Sequence, residues 1–380
     1  MAGETRMSII QANAILDASG GNTTTVNGVT PNSDSVRGRN LIINGAMNVA
    51  QRGTQTGHAT GYTLDRWNVR TNGSARFTVS KDTDVPSGYG FGSSIKIDVT
   101  TDDTVAAGDF GAFRTILEGQ DVQSICKGSS NAKQLTLSFW IKSTVTGTYT
   151  VELYDNDNAR QVSGSYTVNT SNTWENKTIT FPADTTGSFD NDNEASLYIQ
   201  FGLAMGSNFS SGTLSTTWST VTTADRFAGQ VNAFSSTSNN IYFTGVKLEV
   251  GSVATEFDHR SFGEELALCQ RYFYGGFEND PHPTNASALP MHATSPARLF
   301  PFQGADFPVS MRTTPSVSIR SMQSGSQTNN ATSGYSDGVN HTVTNINGPH
   351  ASRVALYLQS SDNITDDEPQ MFHFKADAEL

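Results

Sequence analysis

The stretch LTLSFWIKS (135–143) decides the fold class of this chain. One alternating set of its side chains is Leu135, Leu137, Phe139 and Ile141, and the other is Thr136, Ser138, Trp140 and Lys142. Because successive side chains of a β-strand point to opposite faces of the sheet, this alternation predicts a half-buried strand of an antiparallel sheet.

Similar stretches follow on both sides of it. They are ARFTVS, SSIKIDVT, TYTVELYD (148–155), GSYTV, NKTITFP (176–182), ASLYIQFGLA and NIYFTGVKLEVG. Loops rich in Gly, Asn and Asp separate them, and no amphipathic helix lies between them. About nine or ten strands over about 220 residues predict an all-β protein whose main part is a jelly-roll β-sandwich.

One helix interrupts the strands. SFGEELALCQRYFYG (261–275) begins with Ser261 as a candidate N-cap, has Glu264 three residues later, and places Leu266, Cys269, Gln270 and Phe273 at helical spacing. A Pro-rich stretch and a second, smaller set of strands follow. The predicted organisation is an extended arm (1–38), the sandwich (39–260), a linker helix with a Pro-rich linker (261–290) and a C-terminal β-sandwich module (291–380).

Composition excludes several functions. The chain has 380 residues, a formal net charge of -12 and no cluster of Lys and Arg able to neutralise a phosphate backbone, so we expect no nucleic-acid partner. No stretch approaches the roughly 18 apolar residues of a membrane span, and the N-terminus does not resemble a secretion signal, so we expect neither membrane insertion nor export. The two cysteines, Cys126 and Cys269, are expected to stay reduced.

The N-terminal residues 1–38 are too polar to form a core of their own. Within them, MSIIQANAIL offers enough apolar side chains to occupy a groove on a partner. The segment is therefore either an attachment arm or a disordered N-terminus, and the sequence leaves both open.

Long stretches of the chain resemble tail-fibre-like virion proteins of tailed bacteriophages. In order, they are NLIINGAMNVAQRGT (40–54), TLDRW (63–67), RTILEGQDV (114–122), LTLSFWIKS (135–143), GTYTVEL (147–153), NTWENKTITFP (172–182), SLYIQFGLAMGS (196–207), TGVKLEVGSVATEFDHRSFGEELALCQRYF (244–273) and the closing KADAEL. The first sandwich also resembles the carbohydrate-binding jelly rolls of bacterial glycosidases.

The resemblance implies a structural protein of a tailed bacteriophage particle, assembled in the bacterial cytoplasm and located in the virion. Its implied partners are itself, as a homotrimer, other virion proteins through the N-terminal arm, and host-surface glycans. The alternative is a capsid decoration, head-fibre or baseplate protein without a receptor role. A detached module of a secreted enzyme is disfavoured because the N-terminus does not resemble a signal peptide.

Aromatic side chains in loops are the candidate glycan-binding residues, because a ring face can stack on the C–H surface of a sugar. The loop PSGYGFGSS (86–94) presents Tyr89 and Phe91, and the polar stretch LSTTWSTVTT presents Trp218. The other tryptophans, Trp67, Trp140 and Trp174, lie in strand-like stretches and are predicted to be packing residues.

Neither a cofactor nor catalysis is expected. The sequence DNDN occurs at Asp155–Asn158 and Asp190–Asn193, and its oxygen atoms suit Ca²⁺, yet neither copy has the spacing of a calcium loop and both fit turns better. A structural Ca²⁺ stays open, since the resemblance to jelly-roll modules allows it. No nucleophile, zinc, phosphate-loop or dinucleotide motif occurs, so the chain is expected not to be an enzyme.

Overall fold

The computed structural model describes residues 40–275, 289–292, 299–321, 330–333, 340–360 and 369–380. The predicted N-terminal arm lies outside these residues. In chain order the strands are β1 (Gln55–His58), β2 (Thr60–Tyr62), β3 (Asn68–Thr71), β4 (Arg76–Asp82), β5 (Ser94–Thr101), β6 (Phe110–Glu118), β7 (Leu135–Ser143), β8 (Gly147–Asp155), β9 (Arg160–Val168), β10 (Glu175–Phe181), β11 (Ala195–Met205), β12 (Ser219–Thr220), β13 (Asn240–Val250), β14 (Phe273–Gly275), β15 (Leu289–His292), β16 (Leu299–Asp306), β17 (Ser316–Ser321), β18 (Asn330–Ser333), β19 (Asn340–His350), β20 (Arg353–Ser360) and β21 (Pro369–Asp377).

The first thirteen strands form a sandwich of two antiparallel sheets. One sheet has the order β1-β4-β5-β13-β7-β10, and the other has the order β12-β9-β8-β11-β6-β3-β2. Eight of these strands, in the orders β5-β13-β7-β10 and β6-β11-β8-β9, give the strand order of a jelly roll. The fold class predicted from the alternating stretches is therefore confirmed.

The core lies between the two sheets and contains the inward set of each alternating strand. Leu135, Leu137, Phe139 and Ile141 are all buried there, as the sequence predicts. Trp67 stacks on Phe113 with ring centroids 4.5 Å apart, and Phe113 stacks on Phe243 at 4.8 Å. Inward rings from strands distant in sequence thus pack the two sheets together. The alternate side chains of these strands therefore point outward, away from the core.

Two α-helices are present among the described residues, α1 (Ser207–Ser210) and α2 (Phe262–Gln270). The predicted cap of α2 is confirmed, since Glu264 N–H donates to Ser261 Oγ at 3.3 Å. The helix ends at Gln270, and the expected extension to 275 is wrong because Phe273–Gly275 pairs with β21 instead. Both cysteines are free; Cys126 is exposed and Cys269 is buried.

The remaining strands, β14 to β21, form one connected antiparallel sheet. Its last strand leads into the C-terminus, which contacts the first sandwich: Glu379 pairs with Arg66, and Tyr62 Oη donates to the Leu380 carbonyl at 2.7 Å. No helix among the described residues is long and apolar enough to cross a membrane.

Candidate functional site

The three aromatic residues predicted from loops have different surroundings. Tyr89 is 57% exposed, and its ring centroid lies 4.3 Å from that of Trp140. Phe91 is only 9% exposed and packs against Phe257 and His259, so it presents no open ring face. Trp218 is half-buried, packs on the core and donates from Nε1 to the Pro182 carbonyl at 2.9 Å. The structure does not bring the three together, and Tyr89 alone offers an exposed ring.

Tyr89 belongs to a cluster on the outer face of the six-stranded sheet. Trp140 of β7, Tyr242 of β13 and Trp174, immediately before β10, are half-buried there, and the rings of Trp174 and Tyr242 meet edge to face at 6.2 Å. We call these four aromatic residues the tryptophan face. Trp140 and Trp174 are thus outside the core, unlike Trp67, and the packing prediction holds only for Trp67.

The two charged side chains beside the tryptophan face, Asp84 and Lys142, are paired with each other. Asp84 accepts from Trp174 Nε1 at 2.9 Å and forms an ion pair with Lys142, whose ammonium lies 4.5 Å from the ring centroid of Tyr242. Although burial opposes ionisation of Asp84, these hydrogen bonds lower its pKa below the ordinary value. The charges beside these rings are therefore already balanced.

The outer face of the seven-stranded sheet carries two rows of side chains that cross the strands. The polar row consists of Asn68 (β3), Arg114 (β6), Gln200 (β11) and Glu152 (β8). The second row consists of Tyr198 (β11), Tyr154 (β8) and Gln161 (β9). Arg70 of β3 and Arg226, from the connection between β12 and β13, complete the surface, which we call the arginine face.

The charge of Glu152 is balanced by an ion pair within the arginine face. It is fully buried, and its two oxygen atoms accept from Arg226 Nε and Nη2, both at 2.7 Å. Gln200 Nε2 donates to the same carboxylate at 2.9 Å. Burial disfavours the charge on Arg226, but the pairing with Glu152 keeps its pKa above the ordinary value. The pair is therefore a closed, charge-balanced unit.

Arg70 and Arg114 have no such partner. Neither guanidinium lies within 4.0 Å of a carboxylate in the described part of the chain, and the Nε atom of each is buried without a hydrogen-bond partner. Burial, and next the charge of Arg70, lower the pKa of Arg114. Asn68 Oδ1 and Gln161 Oε1, on the same face, are also buried without partners. Four polar atoms of one surface thus lack protein partners.

Two tyrosine rings lie on the same sheet face as these polar groups. Tyr154 and Tyr198 are half-buried and directly opposite each other, with ring centroids 5.7 Å apart. Arg114 lies 5.3 Å from the centroid of Tyr198, and Arg226 lies 5.4 Å from that of Tyr154. Each ring therefore has an adjacent guanidinium, at a distance that favours cation–π attraction.

The connection from β11 to β13 borders the arginine face on one side. Gln230 Oε1 accepts from the backbone N–H of Thr150 at 2.8 Å, and Ser163 Oγ donates to the Arg226 carbonyl at 2.7 Å. The ring of Phe227 is buried in a small cluster with Phe110. This segment fixes Arg226 in position and leaves the two tyrosines beside it.

The first DNDN segment forms a turn, and the second forms a bend that contacts the first. Asn158 N–H donates to Asp155 Oδ1 at 3.1 Å, and Asp190 N–H donates to Asp157 Oδ2 at 3.0 Å. Among the described residues no group of three or more His, Cys, Asp and Glu side chains could hold a metal ion. The other Asp155 oxygen accepts from the ammonium of Lys127 at 2.5 Å.

Part of this site can be predicted from strand periodicity. In TYTVELYD the inward Tyr149, Val151 and Leu153 leave Glu152 and Tyr154 on the outer face, so these two could have been found. RTILEGQDV (114–122) was not assigned to a strand from its sequence, so Arg114 was not predicted to lie on this face. Arg226 could not be found, because its loop shows no period.

Comparisons with known proteins give no family assignment. No protein family and no curated protein sequence matches the chain. Among solved structures, the enzymatically active domain of tailspike protein 4 from bacteriophage CBA120 is similar at 16% identity and a TM-score of 0.31, over 56% of this chain and 21% of that one.

Two carbohydrate-binding modules are similar to a comparable degree. A family 11 module from Clostridium thermocellum in complex with a mixed-linked tetrasaccharide has 12% identity and a TM-score of 0.27, over 53% of this chain and 98% of that one. TmCBM61 in complex with β-1,4-galactotriose has 10% identity and a TM-score of 0.29, over 56% and 99%. Likeness at this level does not bear on function.

Proposed function

We propose that this chain is a glycan-binding protein and that its binding site is the arginine face. A single observation carries the proposal: the Tyr154–Tyr198 ring pair lies on the same outer sheet face as four buried polar atoms that have no protein partner. Buried polar groups are nearly always hydrogen-bonded in folded proteins, so a cluster of exceptions on one surface indicates a ligand or bound water.

A sugar suits both parts of this surface, the tyrosine rings and the unpartnered polar atoms. Its C–H surface stacks on a tyrosine ring, and its hydroxyl groups donate and accept hydrogen bonds at the same time. The unpartnered atoms include two donors, Arg70 Nε and Arg114 Nε, and two acceptors, Asn68 Oδ1 and Gln161 Oε1. The tryptophan face has fewer such atoms, because Asp84 already pairs with Trp174 and Lys142, and Asn240 Oδ1 is the one buried, unpartnered side-chain atom described on the same face of β13.

Binding at this face takes place without cleavage of the sugar. Glycoside hydrolysis by the usual route needs two carboxyl groups roughly 5 to 10 Å apart, one of them free to transfer a proton. Glu152 is the carboxylate among the side chains that make up the arginine face, and both of its oxygen atoms accept from Arg226.

The biological setting is a further part of the proposal. The ordered stretches between residues 40 and 275 resemble tail-fibre-like virion proteins, which supports a location in a bacteriophage particle. In this setting the N-terminal arm attaches the chain to the virion, and the chain binds host-surface glycans as a homotrimer. Three weak sites held on one particle bind much more tightly than one.

The test compares the two aromatic faces by measuring binding to an array of neutral and acidic glycans. Tyr154→Ala and Tyr198→Ala are expected to weaken binding at least about fivefold, from the loss of one stacking contact. Tyr89→Ala and Trp140→Ala, on the tryptophan face, serve as matched controls and are expected to bind like wild type.

Two results contradict the proposal. If the control variants lose binding and the arginine-face variants keep it, the site is on the tryptophan face. If the folded wild-type chain binds no glycan in the array, the glycan-binding function is wrong, and a structural role in a capsid or baseplate takes its place.

A further inference from the structure

The charge of the arginine face identifies the class of its ligand, an inference that rests on the proposed function. We propose that the ligand is an anionic saccharide, whose carboxylate or sulfate group is bound between Arg70 and Arg114. The face holds three guanidinium groups and one carboxylate, that of Glu152, which Arg226 neutralises. Two positive charges are therefore left over on a chain whose net charge is -12.

The register of β3 and β6 brings these two charges together. Asn68 is opposite Arg114, and Arg70 is opposite Ala112, so the two arginines are diagonal neighbours on the same face. Diagonal neighbours across an antiparallel pair lie about 7–8 Å apart at their Cα atoms, and long side chains span that distance. An oxyanion between the two guanidinium groups would remove their mutual repulsion.

The protein does not supply this anion itself. No carboxyl group in the described residues, the C-terminus included, forms an ion pair with Arg70 or Arg114. The structure shows ion pairs for seven other arginines, among them Arg52, Arg66 and Arg226, so these two differ from most of the arginines described.

The neighbouring groups favour a sugar over a small inorganic anion. Tyr198 lies 5.3 Å from the Arg114 guanidinium, where a pyranose ring could stack while its acidic substituent reaches the arginine. Asn68 Oδ1 is buried without a donor, and an anion cannot satisfy it, whereas a sugar hydroxyl can. Guanidinium groups bind carboxylate and sulfate oxygens in pairs, which gives selectivity over neutral sugars.

The experiment measures the affinity of the full-length protein for matched acidic and neutral oligosaccharides by calorimetry. Oligogalacturonate is compared with its methyl ester, and carrageenan oligosaccharides are compared with neutral agarose oligosaccharides. At least one acidic probe is expected to bind ten times more tightly than its neutral counterpart, and the preference is expected to shrink with added salt. The acidic probe that binds distinguishes a carboxylate from a sulfate.

Two substitutions locate the effect. Arg70→Gln and Arg114→Gln are each expected to abolish the preference for the acidic probe, and neither removes a hydrogen bond present in the structure. Lys133→Gln removes the same charge from an exposed loop and is expected to change nothing. Thermal unfolding of each variant confirms that it is folded.

The outcomes separate this inference from the proposed function. If neutral and acidic probes bind equally and Tyr198→Ala weakens both, the site binds glycans and the anionic class is wrong. If inorganic phosphate competes as well as the acidic saccharides do, the site is a simple anion site and the saccharide class is wrong. If no probe binds, neither the inference nor the proposed function survives.

Discussion

Lys127 is the clearest case of a single side chain that organises its surroundings. Its side chain is 1% exposed, and its ammonium contacts Asp155 Oδ2 at 2.5 Å, Asp184 Oδ2 at 3.1 Å, and the carbonyls of Thr186 and Gly187 at 2.9 and 2.8 Å. Four oxygen atoms around one buried positive charge resemble the surroundings of a bound hard cation. Here the Lys127 ammonium occupies that position and links its own segment to the end of β8 and to the segment 184–187.

We expect Lys127→Met to lower the free energy of unfolding by about 3–5 kcal/mol, because it leaves a buried carboxylate without its counter-charge. Denaturant unfolding measures the loss.

The control is Lys96→Met, which removes a partly exposed partner of Asp98 at 3.9 Å and is expected to cost at most about 1 kcal/mol. Equal losses in the two variants would mean that the buried ion pairs of Lys127 do not carry this stability.

At the scale of elements, the connection from β9 to β10 crosses from one sheet to the other and depends on one carboxylate. Glu175 Oε1 accepts from the backbone N–H groups of Asn169 and Thr170, both at 2.8 Å, and Oε2 accepts from Lys177 Nζ at 2.5 Å. Although burial alone would raise the pKa of Glu175, these hydrogen bonds lower it to about 2.

The lowered pKa makes the stability of this connection pH-dependent. Because the folded-state pKa is below the ordinary value, the stabilisation by Glu175 is complete above about pH 5 and is lost as the pH falls towards 2. Glu175→Gln is expected to be less stable than wild type at pH 7, with the difference shrinking steadily below pH 5. Unfolding midpoints across this range test it, and a difference that is constant with pH would exclude the carboxylate as the cause.

At the scale of the whole molecule, the C-terminus is held by the TLDRW segment of the first sandwich. Arg66 is 1% exposed, pairs with Glu379 and lies 3.4 Å from the ring centroid of Tyr272. Arg52 contacts the same carboxylate at 3.2 Å. The start and the end of the described chain are therefore joined through buried charges, which need each other to remain charged inside the protein.

Glu379→Gln is expected to destabilise the whole protein by about 3 kcal/mol, because it leaves Arg66 buried without its carboxylate partner. Adding Arg66→Met to this variant is expected to recover part of the loss, since a buried charge is then removed. Denaturant unfolding of the single and double variants measures the coupling. A neutral Glu379→Gln would mean that the C-terminus is not bound in this way in solution.

The proposed assembly is also tested on the whole molecule. A homotrimer formed by closed symmetry is expected to scatter light with a mass near three times 40.8 kDa at micromolar concentration. Removal of residues 1–38 is expected to lower the mass of each chain but to leave the protein folded and trimeric, because the arm is predicted to serve attachment. A monodisperse monomer would contradict the trimer.

Local sequence determined the elements of this protein. The alternation in LTLSFWIKS and its neighbours predicted both the strands and the inward faces of β7, β8 and β10, because the two-residue period of a strand is a property of the backbone itself. The cap at Ser261 was predictable for the same reason, since it depends on residues within one helical turn.

The tertiary structure alone decided where the candidate site lies. Asn68, Arg114, Glu152 and Tyr198 come from four strands, and they share one face only because the jelly roll places β3, β6, β11 and β8 side by side. Whether an arginine has a carboxylate partner depends on residues far away in the sequence, as with Arg66 and Glu379. Strand periodicity fixes the face a side chain points to, whereas its neighbours on that face follow from strand order, which no local pattern encodes.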